Sequence, residues 1–470
     1  MLICMSNVLT VTNPTAEMTE WCEKNLAIAN PEYSKKKRMG FYIGNTPKVL
    51  YLYEIHGSNL VLPYGAFSLL PEKIKECAYI VSEFPKPIKV DYHAEIPLYD
   101  YQQAAVDVIA KGCMGILKSP PGSGKTQMGL ALITKLGCRA LWLCHTLDLV
   151  KQSRDRALQY IDKDLLGTIT DGKVQLGKGI TFATVQTMAS LDLSRYKNYW
   201  DVIVIDECHH VSGSPTSVSR YQKVLNGLVA HYKYGLSATV HRADGLIQAT
   251  YSLIGTVAHE VQKEAVSGKV VKVGILPVNT GILLGKDSLN TDGTINHTKV
   301  INHLTTDPHR NALILDMLEG NHGMSSLILS DRLEQLERLM SRLPEDKRSQ
   351  AVMISGKMTT KAGKAEREQA LEDMRSGRKK YLFATYSLAK EGLDIPRLER
   401  LYMASPVADY AVVSQSVGRI ARVFDGKADP IVYDLVDSSG YLTKMYKKRC
   451  TTYRKDGCYF VGGQDANSNL

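Results

Sequence analysis

The sequence has no run of about 18 apolar residues, the length a membrane-spanning helix needs, and no basic segment ahead of an apolar one at its N-terminus. These absences argue against a membrane protein or a secretory leader, so the expected location is the cytoplasm. Cysteine pairing is missing as well. The nine cysteines (Cys4, Cys22, Cys77, Cys113, Cys138, Cys144, Cys208, Cys450 and Cys458) are scattered, odd in number and never spaced C-x-x-C. That pattern points to reduced thiols and away from a disulfide framework or a zinc site. Nor is apolar content low: 44% hydrophobic and 23% charged residues exclude wholesale disorder. At 470 residues the chain exceeds the size at which one hydrophobic core stops growing, so two or three domains are expected. Its formal net charge of +10 fits a polyanionic partner without identifying one.

Patterning divides the chain in three. Residues 1–92 hold short β-type runs (Val49 to Glu54, Asn59 to Leu62) broken by Gly57-Ser58 and by prolines, which reads as a small α+β accessory module. From Leu98, apolar runs alternate with amphipathic helical stretches: Gly115 to Lys118, Ala140 to Cys144, Ile180 to Ala183, Val202 to Ile205 and Tyr234 to Leu236. A second series runs through Ser326 to Leu329, Ala351 to Ile354, Lys380 to Ala384, Arg400 to Met403 and Ile431 to Leu435. Strands separated by helices imply right-handed crossovers and a parallel sheet covered on both faces. Because the alternation occurs twice, two tandem α/β domains are expected, over 93–263 and 264–470. A turn-rich insertion, Gly285 to Gly293, reads as a long hairpin or loop, and residues 461–470 as a frayed end.

The sharpest chemical signal is Ser119-Pro-Pro-Gly-Ser-Gly-Lys-Thr126, between a strand-like run and a helical one. Pro121, Gly122, Ser123 and Gly124 let backbone N–H groups converge on phosphate oxygens at a helix N-terminus. Lys125 then neutralises the β- and γ-phosphates of ATP, and the Thr126 hydroxyl takes a Mg²⁺ position. The second signal is Asp201-Val-Ile-Val-Ile-Asp-Glu-Cys-His209, an apolar strand ending in two carboxylates. Asp206 suits Mg²⁺ and Glu207 suits the attacking water, at the sheet edge where open α/β folds bind ligands. His209 is the expected relay to the next motif, and His210 a packing or surface histidine.

These motifs resemble those of DEAD/DEAH-type superfamily 2 helicases, with a DECH variant of the second. The resemblance implies two RecA-like domains that bind ATP between them and move along a strand. It makes Gln102, in Leu98-Tyr-Asp-Tyr-Gln102, the adenine contact. His145 and Thr146 then lie in a strand-contacting loop, although the family's Pro-Thr-Arg stands here as Cys144-His145-Thr146. Thr184 and Gln186 fall in a second such loop, and Ser237-Ala-Thr239 with His241 to Gly245 in the element that couples hydrolysis to domain motion. In the second domain, Thr385 matches a backbone contact, Gly392 and Asp394 approach ribose and phosphates, and Gln415, Arg419 and Arg422 match the sixth motif. The last three share one helix face if a single helix carries them, with the two arginines as fingers toward the γ-phosphate.

The pairing of these motifs with Asp307-Pro-His-Arg310 is similar to XPB-like DNA helicases and to bacteriophage recombination and branch-migration enzymes. That resemblance implies DNA, forked or branched, as partner of a monomeric motor. Lys35, Lys36, Lys37 and Arg38, flanked by Tyr33 and Tyr42, and the basic residues of 440–455 are candidate phosphate contacts. An RNA helicase and a double-strand translocase subunit remain as alternatives.

Overall fold

Runs in which every residue is apolar need cover on both faces, and they become the inner strands of two parallel sheets: Ala140–Cys144 and Val202–Ile205 are buried throughout. The computed structural model describes residues 1–239, 246–262, 264–266, 271–358, 360–390 and 393–463. They divide into two units, Met1–Pro120 with Gly124–Ala265, and Val266–Leu470, with which the loop residues Pro121–Ser123 are grouped.

The main sheet of the first unit has the order Lys173–Gln175, Leu166–Thr170, Ile180–Thr184, Ala140–Cys144, Val202–Ile205, Tyr232–Ser237, Met114–Lys118, Val257–Glu260. All neighbours are parallel except the first pair. That pair is a hairpin turned at Asp171-Gly172, both at positive φ, a dipeptide suited to two-residue turns. The second unit orders Ala351–Ile354, Tyr381–Thr385, Ser326–Ser330, Arg400–Met403, Ile431–Val436, Gly274–Asn279 and Tyr459–Phe460, all parallel. Both are helix-covered α/β sheets. The insertion is a small turn closed by a bridge between Leu289 and Ile295. Of the end expected to fray, Val461–Gly463 forms a short turn with Gly462 at positive φ, and 464–470 lie outside the described residues.

Residues 440–455, whose basic side chains are candidate phosphate contacts, lie on the helix Gly440–Lys455, whose Leu442, Met445, Tyr446, Cys450 and Tyr453 are buried. Arg449 of the basic cluster is inside: it reaches Asp434 at 2.8 Å, both almost wholly buried, and Tyr453 Oη donates to the same carboxylate. Lys444, Lys447, Lys448, Arg454 and Lys455 remain exposed on the outer face.

The N-terminal module is a sheet ordered Glu54–His56, Asn59–Pro63, Val8–Thr12, Leu2–Met5, Tyr79–Ser82, with a separate ladder of Ala27–Ala29 and Val49–Tyr51. Its core does not close on itself. Ile3, Leu9, Leu62 and Tyr64 share one apolar cluster with Val218, Leu246 and Ala249 of the motor helices. A Cβ on Gly65 would fall 2.5 Å from the backbone nitrogens of Ile254 and Gly255, so only glycine permits that approach. Lys233, fully buried on Tyr232–Ser237, donates to the carbonyls of Asn7 (3.0 Å) and Leu225 (2.8 Å) and lies over the Tyr64 ring.

Among the described residues no carboxylate reaches Lys233, and burial pushes its ammonium down to about 7 from 10.5. A lysine whose pKa is depressed on folding binds fewer protons folded than unfolded, so stability rises with pH between those values and is lost as pH falls toward 7. Urea denaturation of the intact chain at pH 7.5, 8.5 and 9.5 should show a wild-type rise, relative to Lys233→Met, approaching about 1.4 kcal/mol per pH unit. Parallel pH profiles for the two proteins would show that Lys233 is not held neutral.

Candidate nucleotide and strand-contacting site

The candidate residues of the first unit gather at the C-terminal ends of its inner strands. Met114–Lys118 leads into the Ser119–Thr126 loop, whose root is fixed by Ser119 N donating to the Ser237 carbonyl at 3.0 Å. Gly124 has φ 79° and caps the helix Lys125–Leu136, which places Lys125 and Thr126 in its first turn, where N–H groups lack partners. A Cβ at Gly124 would overlap the Gln102 side-chain amide. Gln102 itself is buried, and its Oε1 accepts from Tyr99 N at 2.9 Å, capping the helix Asp100–Ile109.

Val202–Ile205 ends in Asp206, 4% exposed, whose Oδ1 accepts from Glu207 N (3.0 Å) and Oδ2 from Ser153 Oγ (3.2 Å). Glu207 then turns left-handed (φ 45°, ψ 52°), a conformation that costs a non-glycine residue of order 1–3 kcal/mol and recurs at functional sites. The turn aims its carboxylate back at the phosphate loop: Oε1 is 3.8 Å from Lys125 Nζ and Oε2 is 3.3 Å from His209 Nδ1. His209 Nδ1 also lies 3.1 Å from Ser237 Oγ, which donates to the Thr239 carbonyl (2.6 Å). Burial, then the Glu207 charge, push the Asp206 carboxyl up. Burial opposes ionisation of Glu207 too, but Lys125 and then His209 overcome it and hold that carboxyl well below the usual range. Of the adjacent pair, Glu207 keeps its charge, so it can orient a water molecule and accept its proton. Among the described residues Asp206 has only a hydroxyl and an N–H as hydrogen-bond donors, a poor set for a buried carboxylate unless a cation joins it. Together with the Thr126 hydroxyl it fits a hard divalent ion.

The strand-loop candidates are placed unequally. Thr146 and Thr184 spend their hydroxyls as N-caps of Leu147–Ala157 and Val185–Ser190, accepting from Leu149 N and Thr187 N. Gln186 is exposed, and its amide donates to the His145 carbonyl at 2.8 Å. The His145 ring stacks on His210 with centroids 3.4 Å apart. Burial, then the nearby His209, push its imidazole down to about 4, so it is neutral at pH 7. Ser153 escaped the motif reading, although it lies seven residues after the Thr146 cap, two helical turns along the same face.

In the second unit Asp394 pairs with Arg422, and Arg419 donates to the Leu393 carbonyl at 3.2 Å. The helix Tyr410–Ile420 carries Gln415 and Arg419 but ends with Ala421 as cap, so Arg422 lies beyond it and does not share the expected helical face. Backbone after the cap, rather than the 3.6-residue period, directs that arginine toward Asp394. Gln415 is buried with its Oε1 lacking a hydrogen-bond partner among the described residues. Thr385 ends Tyr381–Thr385 beside Ser387, at 2.9 Å between hydroxyl oxygens. Gly392 and His241 to Gly245 lie outside the described residues. Lys35 to Arg38 occupy the last turn of Pro31–Arg38; Lys36 is engaged by Glu32 and Thr46, while Lys35, Lys37 and Arg38 are exposed. Around them Phe41 and Tyr42 are also exposed, and Tyr33, Lys37, Arg38 and Lys48 line a cavity of about 540 Å³.

Residues 95–242 match the family model described as the res subunit of type III restriction enzymes, and 309–424 match the helicase conserved C-terminal domain. The chain is 27% identical over 433 residues (90% of this chain, 77% of the relative) to a putative ATP-dependent RNA helicase of Acanthamoeba polyphaga mimivirus. It is 25% identical to a probable helicase of Escherichia phage T5 (80% of this chain, 77% of the relative). To the DNA 3'-5' translocase XPB2 of Sulfurisphaera tokodaii it is also 25% identical (76% and 85%). The solved structure of S. cerevisiae Dbp5 bound to RNA and ADP BeF3 shares the fold, with TM-score 0.57 at 18% identity over 77% of this chain and 90% of that one. With both helicase modules in order on two parallel-sheet units, the chain is an ATP-dependent helicase of superfamily 2. Within that superfamily it is similar to XPB-like helicases and to phage and viral ones.

Glu207→Gln should keep ATP affinity within a few-fold while hydrolysis falls by about 10²–10⁴, the usual worth of a positioned general base. Equilibrium ATP titration beside steady-state turnover checks this; lost binding with normal turnover per bound ATP would reassign the two carboxylates.

Proposed function

We propose that the chain is a DNA helicase that works on forked or junction DNA, in replication, recombination or repair. One observation carries the choice: outside the motor motifs, the N-terminal module presents Lys35, Lys37 and Arg38 beside the exposed rings of Phe41 and Tyr42. Cations neutralise phosphates while rings stack on unpaired bases, a combination suited to the place where duplex meets single strand. The outer face of Gly440–Lys455, with Lys444, Lys447 and Lys448, adds a second basic surface.

In this reading the phosphate-loop amides and Lys125 bind the ATP phosphates, and Gln102 beside Gly124 reads the base. Glu207, ionised between Lys125 and His209, orients the attacking water and takes its proton as the bond from the γ-phosphorus to the ADP oxygen breaks. Thr126 and Asp206 would hold Mg²⁺, whose charge offsets that of the phosphate oxygens. Arg422, paired with Asp394, and Arg419 supply positive charge to the γ-phosphoryl group. His145, Thr146, Thr184, Gln186 and Thr385 lie on the loops that face the strand. An RNA helicase is the second reading, favoured by the mimivirus relative, which is described as one.

The deciding experiment compares ATPase stimulation and unwinding on single-stranded DNA, tailed duplex, fork, four-way junction and RNA. Forks and junctions should be preferred; equal action on tailed duplexes removes the branched-DNA reading, and stronger stimulation by RNA selects the alternative. Removing residues 1–92 is a poor probe because their core is shared with Val218 and Ala249. Reversing charge at Lys35, Lys37 and Arg38 together should weaken junction binding and flatten the slope of log affinity against log salt by about 2–3, near 0.9 for each phosphate no longer neutralised. An unchanged slope would take this helix out of the interface.

A further inference from the structure

The strand-facing loops and the catalytic carboxylates are joined through side chains that the motifs do not explain. Where the resemblance calls for Pro-Thr-Arg, the chain has Cys144-His145-Thr146, and the ring that departs from the pattern is the one that makes the connection. Exposed Gln186 holds the His145 carbonyl at 2.8 Å. The His145 ring lies on His210 (3.4 Å, 24° between planes), His210 touches His209 (4.2 Å, 36°), and His209 Nδ1 is 3.3 Å from Glu207 Oε2. His145 Nδ1 is buried with no hydrogen-bond partner among the described residues, while the ring itself stacks on His210. A second connection starts one residue later: Thr146 caps Leu147–Ala157, and Ser153 of that helix donates to Asp206 at 3.2 Å.

We infer that His145 is a positioning residue: its stack on His210 transmits strand occupancy at the Gln186 loop to the orientation of Glu207. This rests on the proposed strand-stimulated ATPase and adds the route by which stimulation reaches the carboxylate. A strand that pulls on Gln186 shifts the His145 backbone; ring planes in contact resist separation, and His210 and His209 carry the displacement to the carboxylate. A merely space-filling side chain at 145 packs against His210 but lacks the flat face that transmits it.

The test compares the full-length wild type with His145→Leu, which keeps apolar volume, and His145→Phe, which keeps a flat ring. Each is assayed for ATP turnover without nucleic acid and at saturating single-stranded DNA. Wild-type stimulation checks the underlying reading on its own; its absence would remove that reading before either variant is considered. Given stimulation, the ratio of stimulated to unstimulated turnover should fall at least tenfold in His145→Leu and return to within about threefold of wild type in His145→Phe. Three results overturn the inference: an unchanged ratio in His145→Leu, an equal fall of both rates that leaves the ratio intact, or a Phe variant as poor as Leu.

Discussion

Two carboxyls that follow one another at the end of a buried strand cannot both carry full charge unless positive charge is brought to them, and most of the first unit's site follows from that constraint. Asp206 continues the direction of its strand into the protein, and Glu207 escapes it only by turning left-handed. The turn delivers Glu207 to Lys125, which the glycine-capped helix start holds in reach. The pair is thereby divided: the outward carboxyl is ionised by the lysine and His209, and the inward one depends on hydrogen-bond donors and a cation. The same lysine suits phosphate, so nucleotide binding and the charge state of Glu207 compete for one group.

Most inner strands were legible because burial on both faces requires unbroken apolar runs, as in Ala140–Cys144 and Val202–Ile205; Gly274–Asn279, interrupted by Pro277, was not. The outer strands of the first sheet's hairpin were not. Leu166–Thr170 and Lys173–Gln175 mix threonine, glycine and lysine, and their strongest mark is the Asp171-Gly172 turn between them. The phosphate loop and the strand-end carboxylates could be read because their chemistry depends on adjacent residues. Arg422 and Arg449 could not be placed that way. The position of Arg422 depends on where a helix stops, and the burial of Arg449 on Asp434, fifteen residues earlier in the chain.

Buried ion pairs recur in the second unit. Arg310 and Asp437 are almost fully enclosed at 3.1 Å, with Thr280 Oγ1 donating to the same carboxylate. Arg449 and Asp434 repeat the arrangement beneath the C-terminal helix. Such pairs add little net stability over apolar packing, but removing one partner strands a charge, which penalises every alternative packing of those elements. Both pairs tie down segments at Ile431–Val436 and just after it, so helix Gly440–Lys455 is held in one register although its outer face is basic and polar.

The close approach of Gly65 to Ile254 and Gly255 leaves no linker-like seam between the N-terminal sheet and the motor sheet beside it. Modules joined by flexible tethers lose part of any displacement to slack in the tether. Here backbone bears on backbone, and the apolar cluster is common to both sides. The helix Pro31–Arg38 thus belongs to the same compact unit as Lys125 and Glu207, and a load on its basic residues bears on that unit without a tether between.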